Sequence, residues 1–138
     1  MSILQTVSPE TATGEVAEIY TQIKNAWGNV PTALQAFSAN PFLLKHQWAY
    51  YASIMQHPTL SFPLTASIRM LVSQAGNCRY CIDMNGGMLI NVAGWTPEQL
   101  AVTRADFNDS PLSAKEKTLL GLVLKATRDS NSVTAADL

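Results

Sequence analysis

Two short runs, Thr96-Pro97-Glu98-Gln99 and Ser113-Ala114-Lys115-Glu116, do most to limit what this chain can become. Each pairs a hydroxyl with a carboxamide or carboxylate three residues on, the pattern that satisfies the free N–H groups at a helix start. The rest of the chain is punctuated the same way. In "TGEVAEIYTQIKNAWG", Val16, Ile19, Tyr20, Ile23 and Trp27 recur at helical spacing, and Gly28 is placed to end the helix. Pro31 opens a short second helix carrying Leu34 and Phe37. Asn40-Pro41 reads as a cap followed by proline in the first turn of a third helix, which runs to about His57 before Pro58. A fourth spans residues 61–75, with Leu64, Ile68, Leu71, Val72 and Ala75 on one stripe. A fifth starts at Cys78, capped by Asn77, and ends near Gly94; the two capping boxes open the last two long helices. Thr134-Ala135-Ala136-Asp137 looks like one more helix start. Strand-like alternation and internal repeats are absent, so the expected fold class is all-α, a single domain of six to seven helices over residues 1–138.

Hydrophobic residues make up 47% of the chain and charged ones 14%. Ordinary globular domains carry roughly 25% charged residues. So few charges leave part of the surface to be covered by other copies, and a homo-oligomer is expected. A net charge of −1 supports neither nucleic-acid nor anionic-membrane binding. No stretch approaches the length of apolar sequence that spans a bilayer. The opening "MSILQTVSPE" lacks a basic segment followed by a long apolar run, so a cytoplasmic, reducing setting is expected.

Cys78 and Cys81 are the only cysteines. On a helix, residues three apart share a face with Cβ atoms roughly 5–6 Å apart, close to the separation a disulfide needs. A helix start favours a thiolate, and Arg79 adds a nearby positive charge. The stripe continues through Ile82, Asn85, Met88, Leu89 and Val92, and burial in that company raises a thiol pKa. Redox work leads the readings of this pair; inert buried thiols, a metal site and a structural disulfide are the others. Zinc needs about four ligands, and His46 and His57 stand roughly 16 Å apart along a continuous helix. No metal or cofactor is therefore expected. Gly86-Gly87 costs the helix about 1 kcal/mol per glycine, which points to close packing of another helix rather than to an opening for substrate.

With the pair placed after "LTASIRMLVSQAGN", the sequence resembles the carboxymuconolactone decarboxylase family, specifically its alkylhydroperoxidase D-like branch. The resemblance runs from residue 27 to about residue 94. "GNVPTALQAFSANPFLL" looks like the entry helices, "LVSQAGNCRYCIDMN" like the redox segment and "AGWTPEQL" like the segment that closes it. It implies an all-helical fold, assembly as a trimer or hexamer, and a further helix beyond Leu138. It also implies a peroxidase that reduces organic hydroperoxides for antioxidant defence. In that scheme the peroxide oxidises Cys81 to a sulfenic acid, Cys78 resolves it to a disulfide, and a dithiol reductant protein, such as a lipoylated one, restores the pair.

The sequence departs from the family pattern at three positions. Where the family places a glutamate and two histidines, this chain has Ala66, Tyr80 and Asn85. Asn85 can hydrogen-bond to Cys81 one turn away, and Tyr80 can donate a hydrogen bond, but neither moves a proton near neutral pH. Losing a general base costs on the order of 10²–10⁴ in rate. His46 and His57 are the remaining candidates for that role. The competing reading is a non-catalytic helical assembly or small-molecule-binding protein with vestigial cysteines. Lactone decarboxylation, which gave the family its name, is a weaker third.

Overall fold

The computed structural model describes residues 5–55 and 57–137. Among them are seven α-helices and no strand: α1 (Gly14–Trp27), α2 (Thr32–Gln35), α3 (Pro41–Met55), α4 (Phe62–Ala75), α5 (Arg79–Asn91), α6 (Pro97–Ala105) and α7 (Ala114–Arg128). They form two compact units, the first reaching His57 and the second starting at Pro58.

In the first unit, α1 buries Val16, Ile19, Tyr20 and Ile23. Gly28 closes it at φ 78, a left-handed conformation that glycine adopts without steric cost. These side chains pack with Leu34 of α2 and Leu44 of α3. Trp27 meets Trp48 edge-on, ring centres 5.3 Å apart. The Asn40 side chain caps α3, accepting from the Phe42 and Leu43 backbone N–H groups. Helix α3 is apolar nearly all round, yet Leu44 is its only fully buried side chain among the described residues. Phe42, Leu43 and Tyr50 stand 50–64% exposed in the single chain.

In the second unit, α4 is the central helix, packed mainly against α5 and then against α7. The core holds Leu64, Ala66, Met70, Leu71, Ile82, Leu89, Trp95, Leu112 and Leu120. Both capping boxes close: Thr96 with Gln99, and Ser113 with Glu116. The Ser61 side chain caps α4 and its hydroxyl donates to the Glu116 carboxylate, so one acid holds the starts of α4 and α7 together. Those hydroxyl donors, Ser61 first and then Ser113, hold the Glu116 carboxyl below its ordinary range.

The inward face of α4 differs from the expected stripe. Thr65, Ala66, Ser67 and Met70 are buried, whereas Ala75 is exposed. Small side chains there let α5 approach closely. Gly86 shows the same economy, since a Cβ on it would lie 3.2 Å from a Leu100 methyl and 3.9 Å from the Met70 sulfur. At Gly87 a Cβ would meet only Asn91, at 3.9 Å. Gly87→Ala is therefore expected to stabilise the fold by about 0.5–1 kcal/mol in a urea titration. At Gly86→Ala the same gain is offset because Leu100 must shift. Equal gains at both positions would contradict the packing role of Gly86.

Candidate functional site

The junction between α4 and α5 decides how the cysteines are held. Helix α4 ends with the Asn77 N–H donating to Gln74 O at 3.2 Å and the Cys78 N–H donating to Ser73 O at 2.9 Å. That pair of bonds is the Schellman pattern, with its left-handed position at Asn77, φ 53. Asparagine tolerates this conformation better than most residues. The sequence reading had Asn77 capping α5. Instead Asn77 finishes α4, and Cys78 takes the cap position of α5 at φ −84, ψ 88.

Cys78 and Cys81 are both free thiols, each half-buried. Cys78 stands at the cap of α5 and Cys81 in its first turn. Hydrogen bonding from the Cys81 side chain holds the Cys78 thiol below its ordinary value. The Cys81 backbone N–H adds to this without closing a full capping bond. Cys81 moves the other way. Its proton is held by the bond to Cys78, then by burial and by the neighbouring negative charge, while the Ser73 hydroxyl pulls its pKa back down. The two thiols titrate as a pair, and the cap position of Cys78, nearer the positive end of α5, favours a thiolate there.

Asn85 is 1% exposed and spends its amide elsewhere than on the Cys81 sulfur. Its Nδ2 donates to the Cys81 carbonyl at 2.7 Å, and its Oδ1 accepts from Arg69 Nε at 2.8 Å. A half-buried guanidinium from α4 is thereby tied to the backbone of the redox segment. Ala66 is wholly buried in the core. Arg79 lies almost entirely in solvent, 3.6 Å from Asp83, and Tyr80 is 48% exposed. Of the five residues expected at the site, the structure brings together Cys78, Cys81 and Asn85; Arg79 and Tyr80 face solvent. His46 and His57 belong to the first unit. His46 is exposed, with Nδ1 2.8 Å from the Phe42 carbonyl and its ring tilted against that of Phe42.

Two contributors were missed in the sequence. Arg69 carries a signal: it is the single charged residue of α4. Ser73 carries none, because its role depends on how the helix ends. Among the described residues no three His, Cys, Asp or Glu side chains are grouped to hold a metal ion, and no helix is long and apolar enough to cross a membrane.

The helices and their order define an alkylhydroperoxidase D-like fold. A crystal structure of an uncharacterised peroxidase-related protein from Silicibacter sp. TM1040 aligns with a TM-score of 0.80 at 23% identity, covering 99% of this chain and 75% of that one. The alkylhydroperoxidase AhpD core of an uncharacterised peroxidase-related protein from Ralstonia eutropha JMP134 aligns with a TM-score of 0.80 at 18% identity, covering 97% and 70%. No protein-family model matches the sequence, and neither does any curated protein. The likeness is one of fold, and none of these comparisons shows the carboxymuconolactone decarboxylase family.

Proposed function

We propose that this protein is a thiol-dependent peroxidase or thiol–disulfide oxidoreductase that cycles Cys78 and Cys81 between dithiol and disulfide. The observation that carries the reading is the placement of two half-buried free thiols three residues apart at the start of α5, in a fold shared with peroxidase-related proteins. The motif resemblance gives the first attack to Cys81. The electrostatics here favour Cys78, because the thiolate and not the thiol attacks a peroxide. Cys78 S⁻ attacks the distal oxygen of an organic hydroperoxide, and the O–O bond breaks to leave Cys78 sulfenic acid and an alkoxide. The alkoxide takes the Cys81 proton and departs as the alcohol. The Cys81 thiolate then attacks the Cys78 sulfur, and hydroxide leaves as water after taking a proton from solvent. A dithiol protein reopens the disulfide.

In this scheme the Cys81 proton does part of the work of the missing relay. The test is consumption of cumene hydroperoxide by the reduced protein with dithiothreitol as reductant. Turnover lost in the Cys78→Ser/Cys81→Ser double variant supports the proposal; turnover unchanged in that variant refutes it. A second reading, a helical assembly or binding protein with idle cysteines, draws support from the locked Asn85 amide. An idle pair resists stoichiometric peroxide.

Homo-oligomerisation, as a trimer or hexamer, belongs to the same proposal. The exposed Phe42, Leu43 and Tyr50 on α3 supply apolar surface for it. Sedimentation is expected to give a mass three or six times that of the 15.0 kDa chain; a monomer at micromolar concentration would contradict the expectation.

A further inference from the structure

Resting on the redox reading above, we propose that Arg69 is a positioning residue for the thiol pair: through Asn85 it braces the first turn of α5 and so holds Cys78 and Cys81 ready to close a disulfide. The brace is a directed chain of two hydrogen bonds from one helix to the next. Arg69 Nε on α4 donates to Asn85 Oδ1 at 2.8 Å, and Asn85 Nδ2 donates to the Cys81 carbonyl at 2.7 Å. A guanidinium only donates and a carbonyl only accepts, so the amide between them has one orientation that satisfies both. Because Asn85 is buried, neither bond is easily replaced by one to solvent.

The first turn of α5 needs such support. No side chain caps it, no acidic residue stands in it, and Gly86 and Gly87 weaken the helix just beyond Asn85. Its backbone is held at the start by the Cys78 N–H on Ser73 O and the Ile82 N–H on Cys78 O, at 2.9 and 3.0 Å. The side-chain brace adds a tie from outside the helix, at Cys81. A closed helical turn places Cα atoms three residues apart at roughly 5 Å from each other. That lies inside the span of about 4.4–6.8 Å that a disulfide bridges. Helix ends fray, and fraying here spreads the sulfurs. The disulfide, once formed, holds the turn by itself, whereas the dithiol does not. Loss of the brace therefore adds open states chiefly to the dithiol and shifts the equilibrium away from the disulfide.

A glutamine side chain carries Nε2 as many bonds from the backbone as the arginine Nε, so Arg69→Gln keeps a donor for Asn85 Oδ1. Arg69→Met keeps the length without the donor. The charge and the other contacts of the guanidinium are lost from both variants alike. Each protein is equilibrated in a glutathione redox buffer, where the pair gives two electrons and two protons to oxidised glutathione and two molecules of the reduced form result. The disulfide-to-dithiol ratio is expected to fall about three- to tenfold in Arg69→Met, the scale of one net hydrogen bond, and to stay within about twofold of the parent in Arg69→Gln. Exchange of the Ile82 amide hydrogen in the reduced proteins is expected to quicken by a similar factor in Arg69→Met and to recover in Arg69→Gln. A role in folding alone lowers stability to urea without moving the ratio, and that result overturns the proposal. So do equal ratios in the two variants, whether both fall or neither does. Where Arg69→Met does not fold, Asn85→Ala cuts the same chain at its middle and takes its place; the same fall is expected, and an unmoved ratio is again contrary. A parent protein that forms no disulfide at any buffer ratio refutes the redox reading itself, while Ile82 exchange still reports on the brace.

Discussion

Cys78→Ser is expected to lower hydroperoxide turnover about a hundredfold or more, at the scale of losing a catalytic group. A serine hydroxyl stays protonated at neutral pH, so the early negative charge of the pair has no place to sit. Cys81→Ser should differ in kind as well as degree. Its Cys78 still accepts one equivalent of peroxide, but no resolving thiol follows. The sulfenic acid then persists and passes to sulfinic acid as peroxide is raised. Mass spectrometry of the two variants after graded hydroperoxide separates the cases. Single oxidation in Cys81→Ser with almost none in Cys78→Ser assigns the first attack to Cys78. The reverse pattern gives the order implied by the family resemblance and overturns the electrostatic assignment.

The second large effect is expected at Asn85. Its side chain is buried and makes two bonds, one to the Cys81 carbonyl and one from Arg69. Asn85→Ala removes both, taking one acceptor from the half-buried Arg69 guanidinium, and opens a small void. The expected loss is about 2–3 kcal/mol in a chemical-denaturation experiment. A loss below about 0.5 kcal/mol would show that the Arg69–Asn85–Cys81 link carries no weight, since substitutions away from such features usually cost no more. Asn85→His asks a different question at the same position. An imidazole there restores a group that can exchange a proton, and the Arg69 cation beside it favours the neutral ring. Faster turnover is expected; unchanged turnover would mean that forming the thiolate does not limit the rate.

What the sequence discloses about this fold follows from how local each determinant is. The starts of α6 and α7 are legible because a capping box is complete within four residues, and both boxes close in the structure. The α4–α5 junction is less legible. Asn77 could cap a helix or occupy a left-handed turn, and only the register of Ser73 and Gln74 beneath it decides for the turn. The buried face of α4 is hidden for another reason. Reading the apolar stripe selects Val72 and Ala75, whereas the face that is buried includes Thr65, Ala66 and Ser67. Val92, expected on the inward stripe, lies beyond the end of α5 and is 69% exposed.

The site divides the same way. The spacing of Cys78 and Cys81 announces a pair that can meet, because three residues of helix bring them to one face. Arg69 and Ser73 act through contacts between helices and across a helix end, which no short window of sequence contains. That Asn85 departs from the histidine the resemblance implies is visible at once. Its consequence, an amide turned to the Cys81 carbonyl and held by Arg69, is not.

The most direct measurement is the state of the two sulfurs after reaction. Reduced protein is mixed with one equivalent of cumene hydroperoxide at neutral pH, free thiols are alkylated, and the peptide spanning residues 78–81 is weighed. Redox activity predicts that this peptide carries no alkyl group and has lost two hydrogens, and that dithiothreitol restores both. Two fully alkylated cysteines after the same treatment would contradict it.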